Sequence, residues 1–312
     1  MSRLSLIITI LGGIIAVILI VTYPGYRSDI SAAQERVMSG SQVIETRCGP
    51  IEYAAMGEGP PVLVVHGAGG GYDQGLWVAR DSLGEGFRLI VPSRFGYLRT
   101  PLPQDASPAA QADAHACLLD ALNISKVAVM GISAGASSSM QFALRYPERT
   151  SSLVLIVPGT YAPNPVKSPS PAPLPFILSM MFKSDYPLWV AMKVYPSSVL
   201  LPMGMPPAIQ ARLTDAQKDE LMESLLPFSP RIDGMVNEAK IALIRYPLEN
   251  ITAATLIISA ADDPWKTFDA AKYTAENIPG AKFIGFESGG HLLIGHEEKV
   301  RSEVVQFIKQ HN

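Results

Sequence analysis

Apolar residues fall into short runs set apart by Gly, Pro, Asn and Asp, with longer stretches of helical spacing between them. The runs Val62–Val65, Phe87–Val91, Val127–Met130, Leu153–Val157, Leu256–Ser259 and Phe283–Phe286 predict buried strands. Val43–Arg47 and Ile51–Met56, separated by Gly49-Pro50, predict a hairpin ahead of them. Strands that alternate with helical patterns imply an α/β fold, with a mostly parallel sheet of eight strands covered by helices on both faces. The rhythm breaks between Tyr161 and Leu248. Pro163–Pro175 is proline-rich, and Phe176–Phe182 and Trp189–Val194 are apolar and helical in spacing. Ala211–Leu225 is amphipathic, and Ile232–Arg245 predicts one more helix.

The N-terminus has a different pattern. No charged residue occurs from Leu4 to Val21, and Leu, Ile and Val dominate. As a helix this run spans roughly 27 Å, close to the hydrocarbon thickness of a bilayer. Residues 1–27 are therefore expected to form a transmembrane signal-anchor, with Tyr23 and Tyr26 at the interface. A cleaved signal peptide is the rival, with Ser31-Ala32-Ala33 as its cleavage site, but the apolar run is long for one. Residues 28–42 read as a polar linker with a short helix around Ala32–Val37. The expected placement is single-pass, with the body outside the cytoplasm.

Candidate chemistry centres on Ser133 in Gly131-Ile132-Ser133-Ala134-Gly135, at a strand-to-helix turn. Small residues on both flanks let the backbone pass close to its neighbours, and the turn lifts the hydroxyl clear of the sheet. A serine needs a base. Of the five histidines, His115, His296 and His311 read as solvated surface residues, and His66 as shaping a glycine-rich loop. His291 follows the last strand and a Ser288-Gly289-Gly290 turn, where it can reach a nucleophile. An acid must fix the imidazole tautomer. Asp262 and Asp263 both follow the Leu256–Ser259 strand. Asp263 is favoured because Pro264 pins the backbone after it, and Asp262 then reads as a solvent-facing turn residue.

In the order Ser133, Asp263, His291, each just past a strand, the chain resembles the α/β-hydrolase superfamily over roughly Val43 to Lys309. The resemblance includes the His66-Gly67-Ala68-Gly69-Gly70 loop, the Pro92-Ser93-Arg94-Phe95-Gly96 loop and Ala261-Asp262-Asp263-Pro264. It implies an oxyanion hole made by the amides of Ala68 and Ala134. It also implies that residues 161–248 form a helical cap, inserted between core parts 43–160 and 249–312. Met180, Met181, Phe182, Trp189, Met192, Met203 and Met205 are then core and cap packing, with a subset facing an apolar substrate. One departure is Ser93, where the family usually carries an aspartate.

At 312 residues the chain has room for one large domain with an insertion. A net charge of −3 gives no basic footprint for nucleic acid. Metal-ligand spacings and a P-loop are absent, so neither metal nor cofactor is expected. Cys48 and Cys117 read as two separate buried thiols. The expected activity is hydrolysis of a smallish apolar ester. The same groups also suit carbon–carbon bond or amide hydrolysis or acyl transfer, and the alternative of another class is a non-catalytic ligand- or partner-binding protein.

Overall fold

The computed structural model describes residues 2–163 and 183–312. Its sheet has eight strands: β1 (Gln42–Thr46), β2 (Gly49–Met56), β3 (Pro61–Val65), β4 (Arg88–Pro92), β5 (Val127–Ile132), β6 (Thr150–Ile156), β7 (Ala254–Ala260) and β8 (Lys282–Phe286). Their spatial order is β1-β2-β4-β3-β5-β6-β7-β8, with β1/β2 and β2/β4 antiparallel and every other pair parallel. The expected eight-stranded, mostly parallel sheet is thus present. The central strands β3 and β5 carry no polar side chain because both of their faces are covered. β5 is buried at every position.

On one face, α3 (Pro108–Ala121), α4 (Ala136–Arg145) and α10 (Thr267–Asn277) pack over Leu63, Val129, Leu153 and Ile257. On the other face lie α2 (Tyr72–Leu83) and α11 (Glu297–Gln310), over Val62, Met130 and Leu256. Between β6 and β7 the chain leaves the sheet. The described part of this insertion holds α5 (Asp185–Val194), α6 (Ser197–Leu200), α7 (Pro207–Gln210), α8 (Asp215–Ser224) and α9 (Ile232–Glu238). Phe176–Phe182, with Met180 and Met181, lies outside the described residues. α8 starts later than the apolar pattern suggests because Thr214 caps it: its Oγ accepts the Gln217 amide at 3.2 Å, and Gln217 Oε1 accepts the Thr214 amide at 2.9 Å. α9 ends at Glu238, short of the expected Arg245.

The N-terminal expectation is corrected. α1 (Arg3–Ser39) does not stop at residue 27 but runs on as one helix through the supposed linker, taking in Arg27, Asp29, Glu35 and Arg36. Among the described residues no helix is long and apolar enough to cross a membrane. The single-pass placement, the membrane as a partner and the extracytoplasmic body are therefore not supported. The second half of α1 instead packs on the rest of the chain. Ile30 and Ala33 join Trp189, Met192 and Met205 in one apolar cluster. Asp29 accepts the Trp189 indole N–H at 2.9 Å, Arg36 donates to the Leu226 carbonyl at 2.6 Å, and the Tyr72 hydroxyl donates to the Val37 carbonyl at 2.7 Å.

The cysteines differ from expectation as well. Cys48, in the turn between β1 and β2, is disulfide-bonded to Cys117 of α3.

Candidate active site

Ser133 follows directly on β5 and has φ +50°, left-handed backbone that a residue with a Cβ rarely adopts. Its neighbours have no room for side chains. A Cβ on Gly131 would stand 2.5 Å from Ser139 Oγ and 3.0 Å from Ala136 Cα. A Cβ on Gly135 would collide with the Val65 carbonyl and lie 2.6 Å from that of His66. The strain is held by what surrounds it: the Ser133 carbonyl accepts the Gly159 amide at 2.9 Å. A single 3-10 turn, Ser133–Gly135, then leads into α4, so Ser133 stands at the positive end of a helix.

The structure brings the three sequence-predicted side chains together. His291 Nε2 lies 3.0 Å from Ser133 Oγ, and His291 Nδ1 lies 2.8 Å from Asp263 Oδ2. Ser133, Asp263 and His291 follow β5, β7 and β8, all at the carboxyl edge of the parallel sheet. Asp263 is fully buried. Burial alone would raise its pKa, but the hydrogen bond and charge of His291, with donation from Thr267 Oγ and the Trp265 amide, outweigh it and hold the carboxyl below its ordinary value. An ionised carboxylate accepts a hydrogen bond from Nδ1–H, which leaves the Nε2 lone pair facing the serine.

Asp262 is exposed, as its position suggests, but it also holds backbone. Its carboxylate accepts the amides of Gly289 at 3.2 Å and Gly290 at 2.8 Å, at the head of the turn that carries His291. The insertion meets the same turn from the other side, where a Cβ on Gly204 would stand 2.9 Å from the His291 Cβ.

The loop after β3 is ordered around His66. This wholly buried ring donates from Nδ1 to the Gly67 carbonyl at 2.7 Å and accepts the Arg94 amide on Nε2 at 2.9 Å, which fixes its tautomer. Burial, reinforced by the nearby Arg94 charge, pushes its pKa well below the ordinary value, so it stays neutral. Ala68 is exposed on this loop, and Ala134 is partly buried beside Ser133. Ser93, where the resemblance would place an aspartate, makes its polar contacts through a hydroxyl. Ser93 Oγ accepts the Tyr72 amide at 3.1 Å and donates at 2.8 Å to Glu52, a buried carboxylate on β2. A carboxylate two strands away thus reaches the α2 N-terminus through a hydroxyl relay.

The surface reading of His115 is overturned. It is fully buried in α3, with neither ring nitrogen hydrogen-bonded among the described residues. His296 is partly buried, its Nε2 donating to the Ser288 carbonyl at 2.8 Å and its ring stacked on Phe286. His311 is exposed. Among the described residues no group of His, Cys, Asp and Glu is placed to hold a metal ion.

A parallel sheet with an insertion between β6 and β7, and a serine, histidine and aspartate chained at its carboxyl edge, define a hydrolase architecture. Residues 62–303 match the model of the alpha/beta hydrolase family, and the chain belongs to that family. It is 28% identical over 271 residues to the Uncharacterized hydrolase YcgS of Bacillus subtilis, covering 78% of this chain and 89% of that protein. It is 25% identical over 278 residues to Lipase 1 of Psychrobacter immobilis, covering 88% and 82%. Among solved structures, an alpha/beta hydrolase fold protein from Nakamurella multipartita superposes with a TM-score of 0.69 at 29% identity, covering 86% of this chain and 99% of that one.

Proposed function

We propose that this chain is a serine hydrolase that cleaves smallish apolar carboxylic esters through an acyl-enzyme, with residues 161–248 acting as a cap over the site. One observation carries the reading: His291 is within hydrogen-bonding distance of Ser133 Oγ through one nitrogen and of the buried Asp263 through the other. Nε2 takes the hydroxyl proton as Oγ attacks the ester carbonyl, and Asp263 stabilises the imidazolium that results. The amides of Ala134 and Ala68 receive the oxyanion. His291 then returns the proton to the leaving alkoxide, and water activated by the same imidazole releases the acid. Preference for an apolar acyl group is supported by Met235, whose Sδ stands 3.8 Å from a Cβ placed on Gly69, and by Ile209 against Gly290. The likeness to a lipase points the same way.

The test is a series of p-nitrophenyl esters of graded chain length, assayed with wild-type protein and Ser133→Ala. Turnover and labelling by a fluorophosphonate are both expected to vanish in the variant while its circular dichroism is unchanged. A variant that still hydrolyses the esters would refute the reading. Inert esters together with cleavage of a vinylogous diketone would move the assignment to carbon–carbon hydrolysis.

A further inference from the structure

The Gly67 carbonyl is gripped twice, by His66 Nδ1–H at 2.7 Å and by Arg94 Nη2 at 3.1 Å. The Gly67–Ala68 peptide is trans. In a planar trans peptide the C=O and the following N–H point in opposite directions. Whatever anchors the Gly67 oxygen therefore also aims the Ala68 amide. Gly67 is close against the nucleophile, since a Cβ added there would stand 3.1 Å from Ser133 Cβ. The amides on either side of Ala68 are engaged, Gly67 N–H with Gln74 Oε1 at 3.2 Å and Gly69 N–H with the Tyr97 hydroxyl at 3.4 Å.

Arg94 is held from outside the core. The same Nη2 meets the carboxylate of Glu238, the last residue of α9, and the two side chains are only 8% and 13% exposed. A second buried ion pair fastens the same part of the insertion: Arg231 donates to both oxygens of Asp73, at 2.9 and 2.7 Å, just inside the N-terminus of α2. A guanidinium at the oxygen end of a peptide draws electron density toward that oxygen and strengthens the N–H at the other end as a donor.

We propose that Arg94, braced by Glu238 of the cap, is a positioning residue of the oxyanion hole, fixing and polarising the peptide that presents the Ala68 N–H. The proposal rests on the ester-hydrolase reading. It makes the seating of the cap and the competence of the hole one event: when α9 lifts away, the Gly67 carbonyl keeps His66 but Arg94 loses its brace.

Replacing Arg94 alone would strand a buried carboxylate, so the main variant is Arg94→Met with Glu238→Met, which removes both charges. Glu238→Gln, which conserves shape, accompanies it in case the double variant fails to fold. The readouts are kcat and KM on a p-nitrophenyl ester and the affinity of a trifluoromethyl ketone, whose adduct with Ser133 places an oxyanion in the hole. In the double variant kcat is expected to fall by about ten- to a hundredfold, less than the loss of an entire donor, with ketone affinity falling in parallel. KM should stay within about twofold, the pattern of an interaction made in the transition state. Glu238→Gln should lower kcat and ketone affinity together by about threefold, since a neutral acceptor still braces the guanidinium. A folded variant with wild-type kcat and ketone affinity, or one whose kcat falls while ketone affinity holds, would overturn the proposal. Wild-type turnover in Ser133→Ala would instead overturn the hydrolase reading on which it stands.

Discussion

Asp262 accepts the Gly290 amide at 2.8 Å, so the residue next to Asp263 grips the backbone next to His291. Asp263 orients the ring of His291, and Asp262 orients the turn from which that ring projects. Asp262→Ala should lower kcat by about ten- to a hundredfold through misplacement alone, with KM little changed. Asp262→Asn keeps an acceptor oxygen and should recover most of the loss. Steady-state kinetics on the two variants decide the matter, and an alanine variant as fast as wild type would show the turn to be held by other contacts.

Gly135 has an ordinary helical φ of −65°, so no backbone preference demands glycine there. Space does, because the two obstructing atoms are carbonyl oxygens of β3 and the loop after it. Neither can swing aside as a side chain would. Gly135→Ala is expected to cost about 1–3 kcal/mol of stability as an overpacking change, and to reduce turnover by displacing Ser133. Urea unfolding measures the first effect, and a midpoint equal to wild type would contradict it.

His115 makes stability depend on pH. Burial, with a smaller contribution from the Arg94 charge, lowers its pKa to about 3. In the unfolded chain the ring titrates near 6.5, so the unfolded state takes up the proton first as pH falls. The stability contribution is complete above about pH 6.5 and is lost toward the folded value at up to about 1.4 kcal/mol per pH unit. His115→Leu should therefore flatten the decline between about pH 6 and 4 relative to wild type. Urea titrations across that range test it, and parallel curves for the two proteins would count against the assignment.

The Cys48–Cys117 bridge closes a loop with a sequence separation of 69. Restricting the unfolded chain over that length is worth roughly 4 kcal/mol. Cys48→Ser with Cys117→Ser should lower the urea midpoint substantially, and a reductant should do the same to wild type without affecting the double variant. Equal midpoints for reduced and oxidised wild type would argue against a stabilising bridge.

Much of this molecule could be read along the chain. The central strands coincide with apolar runs bounded by turn residues, because strands covered on both faces admit little else, while the edge strand β1 is largely exposed and carries Gln42, Glu45 and Thr46. Ser133, Asp263 and His291 were legible because each follows such a run, and in this fold the end of a parallel strand is where chemistry gathers. Partnerships between distant residues were not legible. The Glu52 carboxylate serves Ser93 from the neighbouring strand, 41 residues earlier in the chain, and Glu238 reaches Arg94 over 144 residues. His115 was misread because a helix packed against both the sheet and α4 buries more than one stripe, so an imidazole can sit on an inner face without breaking the apolar pattern. At the N-terminus the polar residues after residue 27 read as a linker, whereas the helix continues to Ser39 because tertiary packing holds those turns. Pairing of the cysteines depends on how the β1–β2 turn meets α3, which spacing alone does not encode.

The docking of α1 bears on how the protein is handled. Because Ile30, Ala33, Asp29 and Arg36 complete a wall shared with α5 and with the end of α8 and the segment after it, trimming the first forty residues to improve production would remove part of the interior. Trp189 would lose its indole acceptor and face water. Such a shortened protein should bind hydrophobic dyes and aggregate, even with Ser133 and His291 intact.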